Sequence, residues 1–201
     1  MRRNPERRGQ LLDAAIEVLA REGSRGLTFR AVDGEARVPA GTASNYFASR
    51  DDLLVQVGAR FFERLQPDVA TLAAMTEGPR SRARVTQLLQ GTIARVTEFR
   101  SGFLALIELR LEAVRRPELR TMLTATVRRD IDTNIAQHEA AGLPGDADAV
   151  LLLYLALNWL ILEQITLPGL FSDLPAADLV ASIVAQVVPA TPIDPESTVD
   201  S

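Results

Sequence analysis

The stretch TFRAVDGEARVPAGTASNYFASRDDLL, residues 28–54, carries most of the information about the fold of this 201-residue chain. Thr28 can cap a short helix, because its hydroxyl can accept a hydrogen bond from a backbone N–H in the first helical turn. The sequence Arg37-Val38-Pro39 predicts a turn, and the small and polar residues 40–47 predict a second short helix. Two short helices joined by a tight turn form the pattern of a helix-turn-helix.

The second short helix has an outer face that suits contact with DNA. Val38, Ala43 and Phe47 can face the core of the domain. The side chains that can face outward are Thr42, Ser44, Asn45 and Tyr46. Small side chains let the helix backbone approach the major groove closely, and an asparagine can both donate to and accept from adenine. We therefore expect this helix to enter the major groove and to read base edges there.

The rest of the chain predicts further helices, because apolar residues recur at helical spacing and no strand-like alternation appears. Ser49 and Asp52 have the spacing of a capping box, Ser101 can cap a later helix, and Asp146 is a candidate N-cap. Gly23 is expected to end the first helix. The predicted helices outside the helix-turn-helix pair span residues 5–21, 49–65, 81–100, 102–114, 117–140, 147–167 and 175–188.

These helices predict an all-α fold, with an N-terminal three-helix DNA-binding domain at residues 1–50 and a larger helical domain at 51–188. Residues 189–201 are rich in proline and acidic side chains and have little to bury, so we expect a disordered tail. Residues 1–50 contain nine arginines and six acidic residues. Residues 51–201 contain thirteen arginines and twenty acidic residues. Attraction to phosphate acts over about 8 Å at physiological salt, so the local basic excess matters more than the net charge of −4.

Composition limits the other classes of protein. The chain has no cysteine, which excludes disulfides and thiolate metal sites and fits a reducing cytosol. No long apolar segment follows the basic N-terminus as it does in a signal peptide. The most apolar run, residues 149–162, is expected to be too short to span a bilayer. We therefore expect a cytoplasmic protein with no membrane partner.

Sequence motifs of enzymes are absent from the chain. It contains no Gly-rich phosphate loop, no G-x-S-x-G nucleophile elbow, no H-E-x-x-H and no E-x-x-H pair. His138 is the single histidine and carboxylates do not cluster with it, so we expect neither a metal site nor a cofactor. A helical ligand-binding or interaction module that has lost specific DNA binding stays open as an alternative to a DNA-binding regulator.

The helix-turn-helix region resembles the DNA-binding domain of the TetR family of transcriptional repressors over residues 7–65. The residues that carry the resemblance are Leu27-Thr28, Arg30-Ala31-Val32, Ala36, Val38-Pro39, Gly41-Thr42, Tyr46-Phe47 and Ser49-Arg50-Asp51-Asp52-Leu53-Leu54. The resemblance implies a repressor that binds a palindromic operator in double-stranded DNA as a homodimer.

The resemblance also implies roles for individual side chains at the DNA. Thr28 and Arg50 would each bond a phosphate, and Arg30 would reach a phosphate or a guanine edge. Thr42 and Tyr46 would contact the DNA backbone. The positions that would face bases are Ala40, Gly41, Ser44 and Asn45.

Two residues depart from the family pattern within the helix-turn-helix. Arg37 stands in the turn where the family usually has glycine, and a left-handed backbone there would cost arginine about 1 kcal/mol. Asp33 stands where the family prefers a small apolar residue, and Gly34 beside it weakens the helix further. We expect an Asp33–Arg37 ion pair at i,i+4 to offset part of both costs.

For the C-terminal body, the resemblance implies dimerisation and effector binding. The last two helices would form a four-helix interface with a second copy through Leu152, Leu155, Trp159, Leu162, Leu179, Ile183 and Val187. A cavity for a small apolar or amphipathic effector would be lined by Phe99, Phe103, Leu106, Ile107, Met122, Tyr154 and Trp159. Its candidate polar groups are Arg110, Glu112, His138, Asn158 and Gln164, of which we expect His138 to be exposed. Effector binding would favour a conformation in which the recognition helices of the two subunits have the wrong spacing for the operator, and so release the DNA.

Overall fold

The computed structural model describes residues 4–66 and 78–190, in which nine α-helices make up the regular structure. They are α1 Pro5–Gly26, α2 Phe29–Glu35, α3 Thr42–Tyr46, α4 Arg50–Leu65, α5 Arg82–Glu98, α6 Arg100–Ala113, α7 Pro117–Ala140, α8 Ala147–Thr166 and α9 Ala176–Val187. The prediction of an all-α fold is confirmed. The predicted disordered tail lies outside the described residues from residue 191 onward, so its disorder stays a prediction.

The described helices form two compact units. Among the described residues, the first unit comprises 4–66 and 95–130, and the second comprises 78–94 and 131–190. Helices α5 and α7 therefore each contribute residues to both units. Packing within the first unit joins α1 and α4 to α6, and the predicted domain boundary at residue 50 stays a prediction.

The first unit is built around α1, which packs against α2, α4 and α6. Apolar residues recur along α1 every three or four positions, so that one face is buried, and Leu11, Ile16 and Leu19 have no exposed surface. Phe61 of α4 and Leu109 of α6 belong to the same core. Fully burying a side chain of this size stabilises a fold by about 1.5–3 kcal/mol. This core supports α2, and α2 in turn contacts α3.

Three predicted helix caps are confirmed. The side-chain oxygens of Thr28, Ser49 and Asp146 each accept a hydrogen bond from the backbone N–H three residues later, at 3.1, 3.1 and 2.9 Å. Asp52 in turn accepts a hydrogen bond at 2.8 Å from the N–H of Ala48, the residue before the N-cap Ser49. These caps fix the starts of α2, α4 and α8.

Two helix boundaries differ from the sequence prediction. Ser101 does not cap α6, which begins at Arg100; its hydroxyl instead donates to Oε1 of Glu17 in α1 at 2.7 Å. Gly23 has a φ of 67° and kinks α1, but helical residues resume and the helix extends to Gly26. Ser101 therefore links two helices within the first unit rather than starting one.

In the second unit, α8 and α9 pack against each other. Helix α8 has 20 residues and is long and apolar enough to cross a membrane, so the expectation that this segment is too short is wrong. Length and composition alone are weak evidence, because a packed core helix has the same properties. Leu153, Leu157 and Leu160 of α8 are buried, which is the pattern of a packed helix.

His138 is half-buried rather than exposed as expected. Its ring atom Nε2 lies 3.1 Å from the carbonyl oxygen of Pro144, which ties the end of α7 to the loop before α8. The backbone reinforces this link, since the N–H of Leu143 donates to the carbonyl of His138 at 3.3 Å. The histidine therefore has a structural contact within the second unit.

Candidate nucleic-acid interface

The backbone after α2 is a Schellman turn with Arg37 in its left-handed position. The N–H of Arg37 donates to the carbonyl of Gly34 at 3.1 Å, and the N–H of Val38 donates to that of Asp33 at 3.0 Å. These two bonds are the pattern of the motif. Arg37 has a φ of 54°, in the region that favours glycine. Arg37 therefore adopts the strained left-handed conformation.

Replacing Arg37 with glycine is expected to raise the free energy of unfolding by about 0.5–1 kcal/mol, because glycine adopts a positive φ without the steric cost of a Cβ. The side chain of Arg37 is exposed and has no hydrogen bond or ion pair within the described part of the chain. Urea denaturation followed by circular dichroism measures the change. Arg37→Ala is the control, since it removes the same charge but keeps the Cβ. Equal stability of the two variants would contradict a strained turn.

Asp33 does not pair with Arg37 but caps α3. Its Oδ2 accepts a hydrogen bond from the N–H of Gly41 and its Oδ1 accepts one from the N–H of Ala43, both at 2.7 Å. The side chain is only 3% exposed. The predicted ion pair is wrong because the carboxylate turns inward to these two backbone donors, whereas Arg37 is exposed. The departure from the family pattern is thus a link between α2 and α3.

The residues around the start of α3 fix which face of the helix is outward. Gly41 has a φ of 87°, and no atom lies within 4 Å of a Cβ added there, so conformation rather than space requires glycine. Ala43 and Phe47 are 0% and 1% exposed, which confirms that they face the core. Val38 is half-buried and packs against the same core. The opposite face of α3 is left open.

The residues predicted to contact DNA are all at least partly exposed. The exposed positions are Thr28, Arg30, Ala40, Gly41, Ser44 and Asn45, and the half-buried ones are Thr42, Tyr46 and Arg50. The side chains of Arg30 and Asn45 have no hydrogen bond or ion pair to any described residue. Both are therefore available to a ligand, and both are side chains that can bind a base edge through two hydrogen bonds.

The hydroxyl groups on α3 donate to backbone carbonyls. Oγ1 of Thr42 donates to the carbonyl of Pro39 at 2.5 Å, and Oγ of Ser44 donates to that of Gly41 at 2.9 Å. Each hydroxyl oxygen can still accept a hydrogen bond, but contact with a phosphate requires the hydroxyl to rotate, since phosphate oxygens only accept. The ring of Tyr46 packs against the core of the first unit. Its hydroxyl has no partner among residues 4–66 and 78–190.

Arg50 is engaged within the chain. Its Nε donates to the carbonyl of Leu27 at 3.1 Å, and its Nη2 donates to the carbonyl of Ser24. These bonds tie the start of α4 to the last turn of α1 and to Leu27 directly after it. One terminal nitrogen, Nη1, stays available, so the phosphate contact assigned to Arg50 remains a prediction. Thr28 likewise remains a candidate, because its hydroxyl accepts at the cap and keeps a proton to donate.

An open cleft of about 430 Å³ in the first unit lies beside Arg50. It is lined by Arg25, Arg50, Arg115 and Arg116 together with Asp51 and Glu112. Hydrogen bonds from Arg116, at 2.7 Å, and from Ser24 lower the pKa of Glu112 from its ordinary value. The resulting stabilisation is present above the ordinary pKa of the carboxyl and is lost as pH falls through the lowered one. Glu112, a candidate polar group of the effector cavity, is thus engaged in this network.

The predicted effector-cavity residues are divided between the two units. The first unit contains Phe99, Phe103, Leu106, Ile107, Arg110 and Met122, and the second contains Tyr154, Asn158, Trp159 and Gln164. Phe99 stacks on Phe61 with 5.9 Å between ring centroids, and the guanidinium of Arg64 lies 3.9 Å from its centroid. Nδ2 of Asn158 donates to the carbonyl of Tyr154 at 2.8 Å. The effector cavity itself stays a prediction.

Helix α8 exposes a row of large apolar side chains. Leu152, Leu155 and Trp159 are 53%, 56% and 65% exposed, and their spacing places them on one face. The other interface candidates, Leu162, Leu179, Ile183 and Val187, are half-buried. Contiguous exposed apolar surface of this kind marks an interaction site. The dimer interface stays a prediction that these exposures favour.

Comparison with known proteins gives matches to both parts of the chain. The family described as bacterial regulatory proteins, tetR family, matches residues 11–57. The family described as the tetracyclin repressor-like C-terminal domain matches residues 80–190, more than half of the chain. The chain spans about 40% of the length of the first curated relatives that it matches.

Several known proteins are similar over most of the chain, among them one curated relative and two solved structures. The nicotine-responsive transcriptional repressor HdnoR of Paenarthrobacter nicotinovorans is 26% identical over 75% of this chain and 84% of its own length. A TetR-family structure from Streptomyces coelicolor A3 has a TM-score of 0.71 and 26% identity, covering 92% of this chain and 100% of that one. The multidrug binding protein EbrR complexed with ethidium has a TM-score of 0.65 and 26% identity, covering 92% of this chain and 99% of that one. With a helix-turn-helix at α2–α3 and both family matches in place, this chain belongs to the TetR family of transcriptional regulators.

Proposed function

We propose that the chain is a cytoplasmic repressor that binds a palindromic operator as a homodimer and leaves it when a small apolar or amphipathic molecule binds. The observation that carries this proposal is the outer face of α3. Ser44 and Asn45 are exposed on α3 and Arg30 is exposed on α2, while Ala43 and Phe47 anchor the opposite face of α3. A helix held on one face and open on the other is what reading of the major groove requires.

The exposed residues of the helix-turn-helix are proposed to contact either the bases or the sugar-phosphate backbone of the DNA. Arg30 and Asn45 are suited to bases, and each good bidentate contact gives about 1–3 kcal/mol of discrimination. Ala40 and Gly41 offer little to hydrogen-bond a base, so sequence-dependent DNA shape contributes at their positions. Ser44 can bind a base or a phosphate. The proposed phosphate contacts are Thr28, Thr42, Tyr46 and Arg50.

Dimerisation is proposed because one helix-turn-helix contacts too little DNA for tight specific binding, and two copies can read two half-sites. The exposed row of Leu152, Leu155 and Trp159 on α8 supports an interface there. Helices α8 and α9 pack against each other, so two copies would supply four helices. Half-buried residues of α9, such as Ile183, would become fully buried in such an interface.

The effector is proposed to be a small apolar or amphipathic molecule. HdnoR is named nicotine-responsive, and the similar EbrR structure contains ethidium. Both compounds carry aromatic rings, and the proposed cavity residues are mostly aromatic and aliphatic. An effector releases DNA only to the extent that it binds the low-affinity conformation more tightly than the DNA-bound one. Mass spectrometry of the purified protein under non-denaturing conditions would reveal such a molecule if it is retained.

A mobility-shift titration on duplex DNA from upstream of the chain's own coding region tests the proposed function. We expect specific binding whose affinity falls steeply between about 50 and 200 mM salt, because phosphate contacts release counterions. A scrambled duplex of the same length is the control. The alternative, a ligand-binding or interaction module without specific DNA binding, predicts no preference for any duplex at either salt concentration.

A further inference from the structure

We propose that Asp33 is the positioning residue that fixes the start of α3 and thereby sets the direction of its base-contacting side chains. The proposal rests on the proposed function of α3 as the reading helix. Asp33 lies in α2, and its carboxylate joins that helix to the backbone N–H groups of Gly41 and Ala43. A small apolar residue at this position has no acceptor to offer, so the link depends on the aspartate.

Helix α3 needs such a link because it is only five residues long. The first N–H groups of any helix have no acceptor within that helix, and a helix of this length is unstable alone. The N-cap position is occupied by Gly41, which has no side chain and makes no side-chain cap hydrogen bond. Asp33 supplies the missing acceptors from a neighbouring helix.

The geometry makes the link short and shielded from water. Both hydrogen bonds are 2.7 Å long, and the side chain is 3% exposed. Hydrogen bonds accepted by a carboxylate are shorter and stronger than those between neutral groups. One carboxylate therefore holds Gly41 in its left-handed conformation and Ala43 within the first turn. Two fixed points of this kind prevent α3 from rotating relative to α2.

The link also restricts how α3 can bind DNA. Helix N-termini commonly bind phosphate through free N–H groups, but those of Gly41 and Ala43 are already occupied. Neither of these two N–H groups is therefore free to bind a phosphate. Asn45 lies two residues after Ala43, so the direction in which it reaches a base follows from the backbone that Asp33 holds. Loss of the link should weaken specific binding more than non-specific binding.

The first measurement is amide hydrogen exchange by NMR on the full-length chain. In Asp33→Ala we expect the N–H groups of Gly41 and Ala43 to exchange about 10- to 100-fold faster, as follows from losing hydrogen bonds to a charged acceptor. Asp33→Asn keeps one acceptor oxygen and should protect one amide at most. Glu35→Ala is the matched control, because Glu35 lies on the same helix and pairs with Arg21 at 2.9 Å, away from α3.

The second measurement compares the affinity of the folded variants for a specific duplex and a scrambled one. We expect Asp33→Ala to bind the specific duplex about 10- to 100-fold more weakly, the range of a lost base contact, with little change on the scrambled duplex. Glu35→Ala should match the unsubstituted chain on both. If Asp33→Ala does not fold, Asp33→Asn is measured in its place and a smaller loss of the same kind is expected.

The outcomes separate this proposal from the proposed function. Unchanged exchange of the Gly41 and Ala43 amides overturns the positioning role of Asp33. Accelerated exchange with unchanged specific affinity overturns it too, as does an equal loss on both duplexes. If the unsubstituted chain shows no specific DNA binding, the proposed function of α3 fails, and the positioning role in DNA reading fails with it. Accelerated exchange would in that case still establish the link between α2 and α3.

Discussion

The double variant Leu155→Glu/Trp159→Glu is expected to be monomeric in solution and to bind the operator at least about 100-fold more weakly than the unsubstituted chain. Both side chains are more than half exposed on one face of α8. Two carboxylates at the centre of an apolar interface would lose their hydration without gaining partners, which opposes association. A monomer reads one half-site and loses the gain from binding two half-sites together.

Sedimentation velocity measures the oligomeric state, and a mobility shift measures the affinity. The control is Leu111→Glu/Val114→Glu, which places the same two charges at exposed apolar residues in and directly after α6, in the first unit. The control variant should stay dimeric and keep its affinity for DNA. A dimer that survives the α8 substitutions would contradict the assignment of the interface to this face, as would a monomeric unsubstituted chain.

Replacing Phe47 with alanine is expected to lower the free energy of unfolding by about 3–5 kcal/mol, the usual loss for a buried aromatic side chain. Phe47 is 1% exposed in the core of the first unit, and the guanidinium of Arg8 lies 5.6 Å from its ring centroid. Domains are stable by about 5–15 kcal/mol in total. A loss of this size would therefore leave α3 poorly held and abolish most DNA binding near the growth temperature.

Urea denaturation followed by circular dichroism measures the effect of Phe47→Ala. Asn45→Ala on the same short helix is the control, and because Asn45 is exposed it should change stability by less than about 0.5 kcal/mol. If the two variants are equally stable, Phe47 is not the anchor of α3.

The caps and the turn could be predicted from the sequence because their hydrogen bonds are local. Thr28, Ser49 and Asp146 each accept from an N–H three residues later, so one short window of sequence contains both partners. The left-handed conformation of Arg37 agrees with the resemblance, because the family usually has glycine at this place in the turn. Signals of this kind depend little on the rest of the fold.

Contacts between distant residues explain the errors. The i,i+4 spacing of Asp33 and Arg37 suggested an ion pair between them. The carboxylate oxygens of Asp33 instead accept hydrogen bonds from backbone N–H groups eight and ten residues away. Ser101 has its partner 84 residues away at Glu17. The sequence does contain one signal for the role of Asp33. A glycine N-cap such as Gly41 leaves the first N–H groups of its helix without a side-chain acceptor, and a carboxylate on a core-facing position nearby can accept from them. No comparable signal in the sequence identifies Glu17.

The faces of α8 show a second limit of sequence analysis. The helix is apolar on several sides, which indicates burial both inward and against a partner. The sequence does not distinguish Leu152 from Leu153, yet they are 53% and 4% exposed. Only packing against α9 and the rest of the second unit decides which leucines are covered within the chain. The remaining exposed row is what defines the proposed interface.

The most direct test of base reading by α3 is selection of bound duplexes from a randomised library, analysed base by base. For the unsubstituted chain we expect a palindromic preference. Asn45→Ala should change that preference at one position in each half-site, because it removes a side chain that can bind a base edge. Tyr46→Ala should weaken binding about equally on all sequences, because it removes a backbone contact. A preference profile for Asn45→Ala identical to that of the unsubstituted chain would contradict the assignment of base reading to this residue of α3.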